Sequence, residues 1–473
     1  MAVIDEFDLV FGPDSSGRTA PQRARTSHRI FVRSQDELAV YRDGATGRRL
    51  TAWEAFSAFG YNKLLEAVTH SSAILVSDLR KPASVLRDQR ERLGLEIVDI
   101  ARRLGVSQTD VLNAENPNKR ASIHFLERVA QALGLDETKL TDDAHITDPA
   151  LTVRLRQLRS TRPEFTANTV LSFDEAAWVS FKQTQLIKWI KPDLHTLPQL
   201  GFEADSRYGD RQHKAWWWGY RLAAQSRELL RISPTDPIRS LRELAENRLN
   251  IPLIQTLLPA DIAGATVSNM GTRGIIVNTS GNNRNVWVRR STIAHELGHL
   301  LWDPDQHLKQ LRVDSYRDFE EMPLDVTDHV EARANAFAIE FLAPQQAVRQ
   351  IFQQEENSAQ AIRKIMETFG VSFTSAKYQI WNSLERTIPL SSLATEDVEP
   401  TDEWNAAESY TLDFFKPESV ADARKGSFSG IVVAAQRRGL ISSDSAAALL
   451  GCTEHDYLQS ANFIASVHPV TIR

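Results

Sequence analysis

Two histidines and a glutamate occur close together in the stretch His295-Glu296-Leu297-Gly298-His299, a spacing that suits metal binding. An α-helix turns by about 100° per residue, so side chains four positions apart leave the helix on nearly the same side. The two imidazoles can therefore share one metal ion, and Glu296 can face a water molecule at that ion. A separate apolar stripe would anchor the helix: Ile293, Leu297, Leu300 and Leu301.

A second predicted helix, residues 328–342, offers the third protein ligand that a catalytic zinc site usually has, with one position left for water. Glu331 and Asn335 lie on the same side of this helix as its small apolar residues. A carboxylate on a buried face is costly unless it is paired or bound to metal. We therefore expect Glu331 to be the third ligand and Asn335, one turn later, to orient a ligating imidazole. The alternative ligands in this part of the chain are Glu320, Glu321, Asp325, Asp328 and His329.

The metal-binding motif and the run Glu331-Ala-Arg-Ala-Asn-Ala-Phe-Ala-Ile-Glu-Phe-Leu-Ala-Pro344 together resemble the ImmA/IrrE metallopeptidases. Ile262–Ala265 and Gly274–Asn278 are similar to strands that precede the metal helix in that family. The resemblance spans about residues 165–345 and implies a zincin-like peptidase that binds Zn²⁺ and uses Glu296 as its catalytic base. It also implies regulated cleavage of a specific protein, typically a transcriptional repressor, in response to stress or phage.

Residues 82–141 have the pattern of a helix-turn-helix. Apolar residues recur at helical spacing from position 97 to 104, Gly105 suits a helix end, and Ser107 suits the cap of the next helix. The whole stretch resembles the five-helix XRE/Cro-type DNA-binding domain. Such domains often bind two half-sites as dimers, so a homodimer is expected.

The second helix of this turn would enter the major groove of double-stranded DNA through its first residues. The candidate DNA-binding residues are Ser107, Gln108, Thr109 and Asn113, with Lys119 and Arg120 on backbone phosphates. The local charge does not favour DNA, because residues 84–139 contain nine Lys or Arg and nine Asp or Glu. Asp110 would also repel phosphate. Dimerisation or partner binding is therefore the alternative use of this domain.

Composition indicates an ordinary globular protein of 473 residues, with 42% hydrophobic and 25% charged residues, enough for two to four domains. No apolar run reaches the 18 or more residues of a membrane span, and the N-terminus has no signal-peptide pattern. The single Cys452 excludes an intrachain disulfide, so a cytoplasmic location without membrane contact is expected. The net charge of −6 gives no general attraction to nucleic acid, and any DNA binding must use a local surface.

The fold class predicted from these patterns is α+β and mostly helical. A five-helix Cro-type domain is followed by a zincin-like metallopeptidase domain with a small β-sheet, and then by a helical C-terminal region. The predicted domains are an N-terminal region without an assigned role (1–81), the helix-turn-helix (82–141), a linker (142–164), the peptidase with a helical subdomain (165–388) and the C-terminal region (389–473).

Four finer expectations concern local structure. Residues 1–27 are turn-rich and basic at their end, so we expect a solvated tail. Residues 237–249 are expected to form one helix. The polar stretch 303–325 is interpreted as an inserted loop, and the strand at 274–278 as an edge strand that binds an extended substrate.

The function predicted from the sequence is a zinc-dependent endopeptidase linked to a helix-turn-helix domain, which cleaves a specific protein such as a repressor. One alternative is a transcriptional regulator or antitoxin-like protein, in which the zinc fold is a sensor or scaffold. A second alternative is a protease effector of phage defence. An intact Glu296 argues against a purely structural zinc site, because such a site needs no general base.

Overall fold

The computed structural model describes residues 6–76, 78, 80–140, 166–194, 214–260, 262–269, 272–303, 312–315, 329–394, 398–408, 420–468 and 470. The chain divides into two compact units, one of residues 1–194 with 411–473 and one of residues 195–410. These units differ from the predicted domains, whose limits at 165 and 389 remain predictions. The predicted linker 142–164 lies outside the described residues.

The first unit begins with helices and a small sheet: α1 (Glu6–Phe11), α2 (Ala20–Thr26), β1 (Ile30–Arg33), β2 (Glu37–Val40), β3 (Arg48–Thr51), α3 (Ala52–Thr69) and β4 (Ser72–Ile74). The sheet has the order β3-β1-β2-β4, and all its pairs are antiparallel. The expected solvated tail is wrong for residues 6–26. Phe11 is buried, and Arg23 donates to Asp8 at 2.9 Å, so these contacts hold the two helices.

The helix-turn-helix region contains α4 (Lys81–Arg92), α5 (Ile97–Leu104), α6 (Gln108–Ala114), α7 (Ile123–Ala132) and a 3-10 turn (Glu137–Lys139). Gly105 ends α5 with φ 64°, a conformation that glycine adopts without strain. Ser107 caps α6, because its hydroxyl accepts the backbone N–H of Asp110. The described residues of the predicted five-helix domain, 82–140, therefore contain four α-helices and this 3-10 turn.

A long helix of the first unit follows, α8 (Ala167–Ile190), most of whose residues are buried. It packs against α7 and against a later helix of residues 427–437. These contacts are the reason that residues 167–190 group with the helix-turn-helix unit rather than with the predicted peptidase domain.

The second unit combines helices with a second sheet. Its elements are α9 (Ala215–Leu229), α10 (Leu241–Glu243) with a π turn (Leu244–Arg248), β5 (Leu253–Thr256), β6 (Ile262–Asn269), β7 (Thr272–Asn278), a 3-10 turn (Gly281–Arg284), α11 (Val286–Trp302), β8 (Arg312–Ser315), α12 (His329–Leu342), α13 (Gln345–Gln354), α14 (Ser358–Phe369), α15 (Phe373–Ser383), a 3-10 turn (Leu390–Ser392) and α16 (Asp402–Glu408). The single helix expected over 237–249 is thus a short α turn and a π turn.

The second sheet has the order β5-β7-β6-β8, with β5 parallel to β7 and the other pairs antiparallel. The hairpin expected before the metal helix is confirmed as β6 and β7. The edge-strand hypothesis for 274–278 is wrong, because β7 is paired on both sides and has no open edge for a substrate. Strand β8 also lies within the stretch 303–325, which is therefore more than a loop.

The last described part of the first unit contains α17 (Ser427–Arg437), α18 (Ser443–Leu450) and α19 (Glu454–Val467). Just before α17, Arg424 donates to Glu175 of α8 at 2.7 Å and to Gln131 of α7 at 3.1 Å. This buried arginine holds the C-terminal segment on the helix-turn-helix region. Within the described ranges, no helix is both long enough and apolar enough to cross a membrane.

Candidate metal centre

Helix α11 presents the histidine motif from a firmly anchored position. Its apolar stripe packs in the core of the second unit, where Ile293, Leu297 and Leu300 are fully buried. At its first turns, the buried Arg290 donates to the carbonyl of Gly370 at 3.0 Å and forms an ion pair with Glu408. The helix is thus fixed along one face, and the opposite face is free to position the histidines.

Close packing of α11 on α12 sets the distance between the predicted ligands. Gly298 lies opposite Phe337 of α12, and a Cβ at position 298 would meet Cδ1 of that ring at 2.8 Å. The ring is itself fixed by stacking on Phe341, with centroids 5.1 Å apart. Glycine therefore lets the two helices approach more closely than any larger residue would.

Three donor atoms converge between these helices, and all lie within 4.8 Å of one another. The Nε2 atoms of His295 and His299 are 3.0 Å apart. Oε2 of Glu331 lies 3.1 Å from the first and 3.5 Å from the second. Zinc bonds of about 2.0–2.1 Å in a tetrahedron place neighbouring ligand atoms about 3.3 Å apart. The observed spacings therefore fit one Zn²⁺ with a fourth position open.

The other ring nitrogen of each histidine has its own acceptor. Nδ1 of His295 donates to Oδ1 of Asn335 at 2.9 Å, and Nδ1 of His299 donates to Oδ2 of Asp303 at 2.7 Å. In the neutral imidazole these bonds favour the tautomer with the proton on Nδ1, in which Nε2 keeps its lone pair for a metal ion. The position expected for Asn335 thus agrees with the geometry.

Asp303 is a site residue that the sequence analysis missed, since it was assigned to the polar stretch after the helix. It is fully buried, accepts from His299 and forms an ion pair with the guanidinium of Arg333 on α12. The signal was present in the sequence, because Asp303 follows His299 by four residues and so shares its helix face. This carboxylate links the two helices through the imidazole.

Glu296 is fully buried and lies against the sheet rather than in solvent. Its Oε2 accepts the hydroxyl of Thr266 on β6. Gly264 on the same strand also lies close to α11, since a Cβ there would meet Thr292 Cγ2 at 2.8 Å and Glu296 Oε1 at 3.3 Å. Thr266 was not predicted, because only the packing of β6 on α11 brings it to Glu296.

Burial would raise the pKa of the Glu331 carboxyl, but the two histidines outweigh this effect and hold that pKa well below its ordinary value. A lowered pKa favours the ionised carboxylate, which is the form that metal binding would require of Glu331. Four of the alternative ligands, Glu320, Glu321, Asp325 and Asp328, lie outside the described residues. The fifth, His329, begins α12 and is exposed, outside the cluster.

A cavity of about 520 Å³ adjoins the site. Asn335 links the two, because it lines the cavity and also accepts a hydrogen bond from the imidazole of His295. The apolar lining of the cavity includes Ile339 and Leu342 of α12 and Val371, which precedes α15. Asn282 and Arg284 of the 3-10 turn 281–284 add polar groups to its lining. The cavity combines apolar volume with polar groups, as binding sites for side chains or small ligands do.

The candidate DNA-binding residues differ in whether they are exposed or bound to other residues of the chain. Ser107, Gln108 and Thr109 are exposed at the start of α6. Asn113 accepts from Lys119 at 2.6 Å, and Arg120 pairs with Asp36 at 3.1 Å. Asp110, which argued against DNA, accepts the Ser107 hydroxyl in the helix cap. The start of α6 is therefore accessible, whereas the two cations have partners within the chain.

A small sheet and two closely packed helices surround the His-His-Glu cluster. Residues 259–380 match the family model of the IrrE N-terminal-like domain, of the peptidase M78 family. Residues 83–142 match the model of a helix-turn-helix domain. The chain therefore contains an ImmA/IrrE-type domain downstream of a helix-turn-helix domain, and the predicted architecture is confirmed. No curated protein matches the chain.

Proposed function

We propose that the protein is a zinc-dependent endopeptidase in which His295, His299 and Glu331 bind Zn²⁺ and Glu296 is the general base. The proposal rests chiefly on the convergence of two imidazole nitrogens and one carboxylate at 3.0, 3.1 and 3.5 Å. Because Nδ1 of each ring donates to an acceptor, both Nε2 atoms are lone-pair donors. A scaffold or sensor would need the ligands but not the buried glutamate beside them.

When bound, Zn²⁺ lowers the pKa of a water molecule and polarises a peptide carbonyl. The residues of the chain supply the remaining steps. Glu296 removes a proton from the water and later transfers it to the leaving amine. The Thr266 hydroxyl donates to Oε2 of that carboxylate and so orients it. Asn335 and Asp303 hold the imidazoles in the orientation that binding requires.

We infer that the substrate is a protein with an apolar side chain near the cleaved bond. The cavity beside Asn335 is large enough for such a side chain and has apolar walls from α12 and from Val371. A repressor is the substrate that the resemblance implies. The exposed start of α6 supports a role for the helix-turn-helix domain in bringing the protease to DNA or to a partner, as a monomer or a homodimer.

Metal content tests the site directly. Mass spectrometry of purified wild-type protein should give about one zinc per chain, which His295→Ala and Glu331→Ala should each lose. His455→Ala, which changes an exposed histidine far from the motif in sequence, is the matched control and should keep its zinc. No zinc in the wild type after supply of the metal, or full zinc in both site variants, would overturn the ligand assignment.

Glu296→Gln tests catalysis separately from metal binding. The variant should retain zinc and lose proteolysis, because the amide cannot accept a proton from water. Mapping of new protein N-termini in cells that express wild type or Glu296→Gln would identify the cleaved protein. A cleavage pattern that is identical in both strains would contradict the endopeptidase proposal, even if zinc is bound.

A further inference from the structure

The cavity beside Asn335 extends away from the metal centre along two helices. Val288 and Ser291 of α11 line it, and they precede His295 by seven and four residues, which places all three on one side of the helix. On α12 the lining residues Asn335 and Leu342 are also seven residues apart. Seven residues of α-helix rise by about 10 Å, so the far end of the cavity lies about that distance along each helix from the cluster.

The length and the lining of the cavity suit an extended peptide chain. An extended chain rises by about 3.3 Å per residue, so a length of about 10 Å holds about three residues. Ala338 and Ile339 provide apolar surface, and Ser372 and Thr374 provide hydroxyl groups. The cavity can therefore bind more of a substrate than the one apolar side chain beside the cleaved bond: it also has room for the next residues on the same side of that bond.

The described residues that line this cavity include one charged side chain and no carboxylate. The charged residue is Arg284, which lies in the 3-10 turn before α11. The chain as a whole has 61 acidic and 55 basic residues, so a lining with a cation and no acid is opposite to the overall balance. The local charge at the cavity therefore attracts an acidic group of a substrate and repels a basic one.

Arg284 is accessible to a ligand and has no competing partner in the described part of the chain. The residue is exposed, and no described residue forms an ion pair or a hydrogen bond with its guanidinium. Two arginines that follow it are already bound: Arg289 donates to the carbonyl of Asn283 at 3.3 Å, and Arg290 forms an ion pair with Glu408. The guanidinium of Arg284 can therefore donate to a carboxylate from outside the chain.

The position of Arg284 indicates which part of a substrate it would contact. Its turn comes directly before α11, at the end of that helix that is remote from His295. A substrate residue that reaches the guanidinium is therefore about three to five positions from the bond at the metal centre. We propose that Arg284 selects substrates with Asp or Glu at such a position. This inference rests on the proposed endopeptidase function and adds an acidic residue to the apolar one near the cleaved bond.

Cleavage of a proteome-derived peptide library by the zinc-loaded, full-length protein tests the proposal, with Glu296→Gln as the background. Peptides cut by the wild type should be enriched in Asp or Glu at one position, about three to five residues from the bond. Arg284→Glu should lose that enrichment and favour Lys or Arg there, because the charge of the contact is reversed. Its kcat/KM for the best wild-type peptide should fall by about fivefold or more. Arg231→Glu makes the same change at an exposed arginine outside the described lining and should keep the wild-type preference.

A second variant keeps the test decisive if Arg284→Glu does not fold. Arg284→Gln removes the charge and keeps a polar side chain, so it should lose the acidic preference without gaining a basic one. Cleavage without enrichment of acidic residues, or an unchanged preference in either folded variant, would overturn the role of Arg284 and leave the endopeptidase proposal intact. No cleavage of any peptide by the zinc-loaded wild type would instead contradict the endopeptidase proposal, and this inference with it.

Discussion

Replacement of Asp303 by asparagine tests how the structure holds its second histidine. The carboxylate has two oxygens in use, one 2.7 Å from Nδ1 of His299 and the other on the guanidinium of Arg333. The amide of Asp303→Asn is neutral, so it is a weaker acceptor for the imidazole N–H than the carboxylate is, and it leaves the buried guanidinium without an ionised partner. The variant should therefore weaken zinc binding and the fold together.

The expected loss of zinc affinity and the expected loss of folding free energy differ in size. Removal of a hydrogen-bond partner behind a ligating imidazole costs about 10–100-fold in metal affinity, or about 1.4–2.8 kcal/mol. Arg333 is 2% exposed, and a buried cation deprived of its carboxylate costs about 3–5 kcal/mol of folding free energy. We expect Asp303→Asn to show both effects, with the larger one on stability.

Competition with a chromophoric chelator would measure the zinc affinity, and urea denaturation would measure the free energy of unfolding. The double variant Asp303→Asn with Arg333→Met removes the buried charge, so it should recover stability while zinc affinity remains low. Asp402→Asn, at an exposed aspartate of the same unit, is the control and should change neither quantity. Wild-type zinc affinity in Asp303→Asn would refute the reasoning about imidazole orientation.

Three further predictions concern packing and buried charge. Gly298→Ala should lower the free energy of unfolding by about 1–3 kcal/mol, because its methyl group meets Phe337 at 2.8 Å; an equal or higher value would show that the helices can separate. Burial raises the pKa of Asp174 from 3.8 to about 8, so its stabilising effect is complete below pH 3.8 and is lost as the pH rises to about 8. Asp174 should therefore contribute a fall in stability of at most about 1.4 kcal/mol per pH unit in that interval, and Asp174→Asn should lack this contribution in denaturation series. Arg290→Met should destabilise the fold by about 3–5 kcal/mol, and Arg290→Met with Glu408→Gln by less, as thermal unfolding would show.

Local spacing was sufficient to predict the elements that carry the site. The interval of four residues between His295 and His299 determines that both rings lie on one helix face, wherever the helix packs. The Gly105 and Ser107 pair likewise indicates a helix end followed by a helix start, and both caps occur in the structure. Such predictions agree with the structure because they depend only on neighbours within one or two turns of the chain.

The fold of the N-terminal residues was not predictable in this way. The pattern of residues 6–26 reads as a tail, since short polar segments have no strong helical period. Contacts made elsewhere, such as the burial of Phe11 and the bond from Arg23 to Asp8, stabilise the two helices there. The position of β7 between two strands similarly follows from sheet topology, which strand pattern alone does not specify.

The sequence by itself determined the two histidines of the proposed metal site, because residue type and helical period are local properties, and it made Glu331 the preferred of several possible third ligands. Only the tertiary structure decided what surrounds that set: the hydroxyl of Thr266 on Glu296, and the acceptor that Asp303 offers to His299. The physical reason is that hydrogen-bond partners in a buried site come from segments far apart in the chain, and their meeting depends on how whole elements pack.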